Sequence, residues 1–255
     1  MERLQERCEL LRSLHVPGRP LVLPNAWDAA SARSVVAAGF PVVATSSGAV
    51  AAALGYEDHQ GAPPGEMLAA AARISRSVTV PVTVDAEAGY GMSPSELVEA
   101  LLRAEAAGCN LEDTDHAAGA LVEPSRHAEW LAAVRQAAAE RDYGLVINAR
   151  VDVFLADGGA RPQSELLEES VARAGAYLAA GADCVFPILL HDESTIGAFV
   201  QAVEGPVNVL AMPGAPPVAR LAELGVARVS LGSLLHSRTM AELFSILADL
   251  AAEAR

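Results

Sequence analysis

Short apolar runs alternate along this chain with longer alanine-rich stretches of helical periodicity, and the alternation limits the folds open to it. Eight runs are predicted strands: residues 20–24, 41–46, 80–85, 109–112, 145–150, 183–187, 207–210 and 228–231. Predicted helices between them include residues 94–107, 125–140, 164–180 and 216–224. Four of the helix-to-strand turns carry a glycine suited to the left-handed conformation: Gly39, Gly108, Gly181 and Gly225. Strands that alternate with helices pair in parallel, so the pattern predicts an α/β fold.

Two parallel architectures fit such a pattern, a doubly wound open sheet and a closed barrel. Eight strand–helix units, without a glycine-rich dinucleotide turn after the first strand, favour a (β/α)8 TIM-type barrel. A length of 255 residues suits one such barrel, and no linker or low-complexity segment divides the chain. We therefore predict a single barrel domain over residues 1–255.

The last predicted helix, residues 233–254, is longer than the eighth unit of a barrel requires. Its apolar residues cover much of its circumference: Leu234, Leu235, Met240, Leu243, Phe244, Ile246, Leu247 and Leu250. This excess indicates contact either with a second subunit or with the chain's own barrel.

Composition excludes several classes of protein. A formal net charge of -14 argues against nucleic-acid binding, because few cations are available to neutralise phosphates. Lysine is absent, which excludes Schiff-base chemistry and a P-loop. Cys8, Cys109 and Cys184 are too widely spaced for a zinc site or a disulfide framework. With no secretory signal and no apolar run of roughly 18 residues, we expect a cytoplasmic protein without a membrane partner.

Two acidic residues, Asp85 and Glu87, lie where the third predicted strand ends. Because strand side chains alternate, both carboxylates are predicted to project to the same side. They repel each other and lose hydration unless a cation lies between them. The pair therefore predicts a site for a hard metal ion.

Other strand ends contribute polar residues, and a barrel directs its strand ends to one face. These residues are Ser46, Ser47, Gly48, Glu112, His116, Arg150 and Asn208. Glu112 joins Asp85 and Glu87 as a set of oxygen ligands suited to Mg²⁺ or Mn²⁺. Arg150 offers two parallel hydrogen bonds to a substrate carboxylate, and the residues of segment 46–48 offer donors to an oxyanion. A divalent ion there polarises a keto oxygen and stabilises an enolate.

Structural interpretations of the same residues stay open. They are Asp85 as a strand-end cap, Glu112 as an ion-pair partner of Arg150, Ser46 and Ser47 as the start of a helix, Asp58 as a surface loop residue, and His116 as incidental. His127 lies on a predicted helix face and is expected to be solvated.

Six segments carry a resemblance to a known family. They are residues 23–28, 45–48, 85–91, 111–113, 148–152 and 228–232. In this order and spacing they resemble the isocitrate lyase/phosphoenolpyruvate mutase superfamily across nearly the whole chain.

The resemblance implies Mg²⁺-dependent cleavage or formation of C–C or C–P bonds next to an α-keto acid, through an enolate of the pyruvate type. It implies that Asp85 contacts the metal while Asp58, Glu87 and Glu112 hold its waters. It assigns the keto-acid carboxylate to segment 46–48 and Arg150. It also implies a homodimer or homotetramer in which the last helix packs on a neighbouring barrel.

Two departures bear on the substrate. The segment 112–124 is short and lacks the cysteine and lysine that family members carry there, and Glu87 replaces the usual second aspartate. The prediction is an Mg²⁺-dependent lyase that cleaves a small α-keto or 2-hydroxy dicarboxylate by retro-aldol reaction, decarboxylation or hydrolysis, through an enolate at the metal. His116, or a water ordered by Asp58 and Glu87, is the predicted proton source. Alternatives are C–P chemistry on phosphonopyruvate and a non-catalytic keto-acid-binding protein.

Overall fold

The computed structural model describes residues 2–254, so the first and last positions of the predicted 1–255 domain lie outside the described residues. The helices are α1 Glu2–Ser13, α2 Ala29–Ala37, α3 Ser47–Leu54, α4 Pro64–Ser77, α5 Pro94–Arg103, α6 Pro124–Ala139, α7 Val153–Asp157, α8 Leu167–Ala179, α9 Glu193–Ala202, α10 Val218–Glu223 and α11 Leu234–Glu253, with a 3₁₀ turn at Gln163–Leu166. The strands are β1 Leu21–Leu23, β2 Asn25–Ala26, β3 Val43–Thr45, β4 Val82–Asp85, β5 Gly108–Glu112, β6 Thr114–Asp115, β7 Ala120–Leu121, β8 Val146–Val151, β9 Cys184–Pro187, β10 Asn208–Leu210 and β11 Arg228–Ser230.

The strands form a closed parallel ring. Strands β1 and β2 are two halves of one strand, interrupted at Pro24, which has no N–H to donate. One group pairs in the order β2-β3-β4-β5-β8-β9 and the other in the order β1-β11-β10. A parallel bridge between Val185 and Val207 joins the two groups. The order returns to the first strand, so the prediction of a (β/α)8 barrel is confirmed.

Three of the four predicted glycine turns have the expected geometry. Gly39, Gly181 and Gly225 have φ values of 91°, 101° and 89°. The expectation for Gly108 is wrong, because Glu105 takes the left-handed position there with φ 54°. Gly108 instead opens β5, where a Cβ would lie 2.7 Å from the Val146 carbonyl oxygen. Close packing between neighbouring strands therefore requires that glycine.

Helix α1 covers the amino-terminal end of the barrel. Leu4, Cys8 and Leu11 are buried, and the Gly144 N–H donates to Gln5 Oε1 at 2.9 Å. The three cysteines are free and buried, and burial raises the pKa of each thiol to about 12. They serve as apolar packing groups.

Helix α11 touches its own barrel only near its start, where the His236 ring lies 5.1 Å from the Trp27 ring, and most of the helix is exposed. No residue from Leu234 to Glu253 is buried, and Phe244 is 74% exposed. An apolar cavity of about 530 Å³ lies between α2 and the start of α11, lined in part by Val35 and Phe40. An exposed apolar helix beside an apolar cavity indicates an interface, and we expect a second copy of the chain to cover both. No helix among residues 2–254 has the length and apolar character to cross a membrane.

The double variant F244D/L247D tests the role of α11. We expect the wild-type protein to form dimers or larger assemblies, and the variant to become monomeric because the charges oppose burial of that face. D249N on the same helix is the control. Light scattering after gel filtration measures the mass, and a monomeric wild type would contradict the expectation.

His15 follows α1 and is buried at the covered end of the barrel. Its Nδ1 lies 2.8 Å from the Leu11 carbonyl oxygen, and its Nε2 has no hydrogen-bond partner among the described residues. Burial, with the nearby charge of Arg228, lowers the pKa of His15 to about 4. Unfolding restores a value of about 6.5, so the unfolded chain binds a proton that the folded chain does not bind between these pH values.

Stability is therefore expected to fall as the pH is lowered from about 6.5 to 4. His15 contributes about 3 kcal/mol to this loss. In H15Q the dependence of the unfolding free energy on pH should be weaker by that amount, as urea denaturation across this range would show. Equal pH dependences in the two proteins would contradict the assignment, and the two should differ little in pH dependence above pH 7.

Candidate active site

Asp85 ends β4, and neighbouring elements fix its carboxylate. Its Oδ2 accepts the Ser47 N–H at 3.0 Å, at the start of α3, where the helix dipole favours negative charge. Its Oδ1 accepts from Asn110 Nδ2 on β5 at 3.4 Å. Its own N–H donates to Thr45 Oγ1 on β3 at 2.9 Å. Asp85 is thus oriented from both sides of its strand.

Glu87 reaches the site differently from the sequence prediction. Strand β4 ends at Asp85, so strand alternation does not extend to Glu87, whose φ is 49°. The side chain is 2% exposed and Oε1 accepts the Gln60 N–H at 2.6 Å. His59 and Gln60 also have positive φ values, 60° and 62°. Such angles are costly for these residue types, so this loop is shaped to meet Glu87.

Asp58, Asp85 and Glu87 form no ion pair with any residue in the described range 2–254. Burial raises the pKa of Glu87 to about 7, and repulsion from Asp85, Asp58 and Glu112 adds to the effect. Asp58 Oδ1 is buried without a hydrogen-bond partner among the described residues. A Cβ at Gly48 would lie 2.7 Å from Asp58 Oδ2, so the missing side chain of Gly48 is what admits Asp58. A cation at this place relieves both the repulsion and the unsatisfied oxygen.

The donor chemistry fits a hard divalent ion such as Mg²⁺. Within residues 2–254, no three His, Cys, Asp or Glu side chains converge closely enough to hold a metal by themselves. Mg²⁺ usually keeps several waters and takes one or two carboxylates, which suits Asp85 with Asp58 and Glu87 around it. The three-ligand set Asp85, Glu87 and Glu112 remains a prediction.

Glu112 and Arg150 form a buried ion pair. This is the structural interpretation of Glu112 that the sequence left open. Arg150 Nη1 lies 2.6 Å from Glu112 Oε2, outside hydrogen-bond geometry. Arg150 donates two hydrogen bonds to Asp152, from Nε to Oδ1 at 2.6 Å and from Nη2 to Oδ2 at 2.8 Å. Burial opposes the charge, yet Glu112 and Asp152 raise the pKa of Arg150 above its ordinary value. A substrate carboxylate that binds Arg150, as predicted, would therefore share its guanidinium with Glu112 and Asp152.

His116 is hydrogen-bonded to Glu112. Its Nε2 lies 2.5 Å from Glu112 Oε1, and this bond raises the pKa of His116. Burial raises the pKa of Glu112, against the effect of Arg150. The His59 ring lies beside His116, with ring centroids 5.4 Å apart. The hydrogen bond to Glu112 therefore favours the protonated form of His116 next to the acidic cluster.

The segment that departs from the family folds as a small antiparallel hairpin, β6–β7. Thr114 Oγ1 donates to Asp152 Oδ2 at 2.5 Å. Below it, buried Asp113 accepts from Tyr177 Oη at 2.6 Å and Arg173 Nη1 at 3.0 Å. These contacts fix both the hairpin and Asp152, and so the orientation of Arg150.

Other predicted residues lie at the edge of the site or away from it. Ser46 caps α3, and its Oγ lies 2.8 Å from Ser233 Oγ, so it does start a helix. Asn208 Nδ2 donates to Ser230 Oγ at 3.3 Å and makes no hydrogen bond to the acidic residues. The expectation that His127 is solvated is wrong, because its helix face packs inward, and His127 is 5% exposed and lies 4.8 Å from the Tyr177 ring.

Three residues that support the site, Arg228, Asn110 and Gln60, have no predicted role. Fully buried Arg228 donates from Nη2 to Asn110 Oδ1 at 3.1 Å, and Asn110 in turn donates to Asp85. An arginine inside an apolar strand was the available signal for this network. The role of Gln60 depends on loop geometry that no residue pattern indicates.

Comparison with known proteins identifies the family of this chain. The family model for phosphoenolpyruvate phosphomutase matches residues 11–251. The 2-methylisocitrate lyase of Escherichia coli K12 is 30% identical over 240 residues, covering 86% of this chain and 78% of that protein. A Burkholderia cenocepacia J2315 crystal structure, provisionally assigned as a phosphonomutase, is 42% identical with a TM-score of 0.91, covering 96% of this chain and 99% of that one.

A crystal structure of 2,3-dimethylmalate lyase, from the same superfamily, has a TM-score of 0.85 and 25% identity, covering 98% of this chain and 86% of that one. The fold and these relatives place the chain in a class of barrels that contains lyases and mutases. The chain belongs to the phosphoenolpyruvate phosphomutase family of the isocitrate lyase/phosphoenolpyruvate mutase superfamily. The resemblance seen in the sequence is confirmed.

The variant G48A tests the acidic cluster. The added methyl group displaces the Asp58 carboxylate, so we expect Mn²⁺ affinity to fall about tenfold while the protein stays folded. G65A in α4, where a Cβ meets nothing within 4 Å, is the matched control. Mn²⁺ titration by electron paramagnetic resonance measures the affinity. Equal affinities in the two variants would show that Asp58 does not take part.

Proposed function

We propose that this protein is an Mg²⁺-dependent lyase that cleaves a C–C bond of a small α-keto or 2-hydroxy dicarboxylate. The observation that carries the proposal is that Asp58, Asp85 and Glu87 repel one another without an ion-pair partner among the described residues. They lie beside His116, whose pKa is raised by its hydrogen bond to Glu112. When bound, Mg²⁺ would polarise the substrate oxygen and stabilise negative charge that develops next to it.

The chain's own residues supply orientation. The Ser47 N–H and Asn110 fix the Asp85 carboxylate, so a metal ion bound to it would lie in a defined direction. The start of α3 places backbone donors and the positive end of a helix dipole beside it. Remaining N–H groups of Arg150 are available to a substrate carboxylate at the same mouth.

His116 supplies the proton in this proposal. Its side chain is 14% exposed, so it is accessible from the barrel mouth, and its bond to Glu112 favours the charged form. A protonated imidazole near neutral pH is suited to protonate a developing carbanion. It would thereby perform the proton transfer that the cysteine-bearing loop performs in the lyases that this chain resembles.

A second candidate is C–P bond chemistry on phosphonopyruvate. It is favoured by the similarity to the provisionally assigned phosphonomutase, at 42% identity. The same residues would serve, because phosphonopyruvate carries a keto-acid group too. Turnover of phosphonopyruvate in preference to oxaloacetate and malates would select this alternative.

The experiment compares wild type with D85N and H116Q on oxaloacetate and malate derivatives, with and without Mg²⁺. We expect metal-dependent keto-acid or oxalate release that D85N abolishes. H116Q should lose about 10²-fold or more of kcat while keeping Mn²⁺ affinity, because it removes a proton donor rather than a ligand.

R33Q, on the exposed face of α2, is the control and should behave as wild type. Full activity after chelation of the metal would refute the metal assignment, and unchanged kcat in H116Q would refute the proton role. Oxalate binding without any turnover would indicate a non-catalytic keto-acid-binding protein instead.

A further inference from the structure

A second cavity opens beside the His116–Glu112 pair. It has a volume of about 340 Å³ and lies between the β6–β7 hairpin and α6. Glu112 and His116 line one side, and Arg126, His127 and Trp130 of α6 line the other. A substrate whose reacting carbon lies near His116 must extend the rest of its body into this space or into solvent.

Arg126 gives this cavity an unpaired positive charge. It lies in the first turn of α6, is exposed, and forms no ion pair with any residue in 2–254. A cation in the first turn of a helix is disfavoured by the helix dipole, and an anion placed there relieves the cost. Arg150, by contrast, is already paired with Glu112 and Asp152. Arg126 is thus the guanidinium available to an incoming anion on this side of the site.

Next to Arg126, the same α6 wall presents two aromatic rings that face His116 across the cavity. The rings of His127 and Trp130 stack with centroids 5.8 Å apart and an angle of 27°. Burial lowers the pKa of His127 to about 4, so this ring is neutral at physiological pH. Trp130 is held against the loop after β4, where a Cβ on Gly89 would lie 2.7 Å from the indole. This rigid surface suits an alkyl group better than water.

We propose that this cavity binds the leaving fragment of the substrate, with Arg126 on its carboxylate and Trp130 against an alkyl substituent. This inference rests on the proposed function. It selects 3-alkylmalates, 2-hydroxy dicarboxylates with an alkyl group on C3, over unsubstituted malate and oxaloacetate. An acetate-sized fragment would leave most of the 340 Å³ unfilled.

The reaction is a balanced retro-aldol cleavage. The C2 hydroxyl loses its proton, the C2–C3 bond breaks, and C2 becomes the aldehyde carbon of glyoxylate. The bonding electron pair passes to C3, next to the second carboxylate, and a proton from His116 completes the alkylacetate. The proton lost from the hydroxyl replaces the one that His116 gives, so no oxidant or second substrate is needed.

The test compares kcat/KM for malate, 3-methylmalate and 3-isopropylmalate in wild type, R126Q, R126K and W130A. We expect wild type to prefer the alkylated substrates. R126Q should lose about 10- to 100-fold in kcat/KM, largely through KM, and R126K should recover part of the loss. W130A should reduce the preference for the alkyl group. R33Q is again the matched arginine control, and Mn²⁺ affinity should be unchanged in all variants.

The outcomes separate this inference from the proposed function. Turnover of malates with equal kcat/KM in wild type and R126Q would refute the subsite and leave the lyase function standing. If no malate is cleaved, calorimetry with isovalerate decides. Binding that R126Q weakens supports the subsite despite failure of the proposed reaction, and absence of binding to wild type refutes it.

Discussion

Repulsion among carboxylates that share one poorly hydrated place is the constraint on which the local structure depends. Asp58, Asp85 and Glu87 approach one another at the carboxyl ends of the strands, and burial raises the pKa of Glu87 to about 7. Backbone N–H groups of Ser47 and Gln60 offset part of the cost. A cation bound here would offset the remaining repulsion and desolvation cost. The left-handed backbone of His59 and Gln60 and the absence of a side chain at Gly48 allow these acidic residues to lie close together.

A second network explains how the short β6–β7 hairpin is held in place. Asp113 is held by Arg173 and Tyr177, and Asp152 by Arg150 and Thr114. The hairpin is therefore anchored to the barrel by buried charge-assisted hydrogen bonds, which are stronger than neutral ones. In the proposed function, His116, which lies beside Glu112, takes the role of the proton donor. The same anchoring leaves a defined cavity on the α6 side.

The sequence predicted the barrel and most of the strand-end residues, because periodicity and strand-end position depend on local pattern. Asp85, Glu112 and Arg150 lie at the mouth as their positions indicated. Most side-chain partners could not be read from the sequence. That Arg150 pairs with Asp152, that Gln60 holds Glu87, and that Arg228 supports Asn110 depend on side-chain directions set by packing. His127 was misjudged because a single histidine on an amphipathic helix does not show which face packs inward.

Whether the acidic strand ends form a divalent metal site can be decided with a crystal of the protein soaked with Mn²⁺ and oxalate and measured for anomalous scattering. We expect a Mn²⁺ peak at the Asp85 carboxylate, with waters between the ion and Asp58 or Glu87 and with oxalate on the remaining positions. Absence of a peak at Asp85 in crystals that bind Mn²⁺ elsewhere, or oxalate bound there without metal, would contradict it.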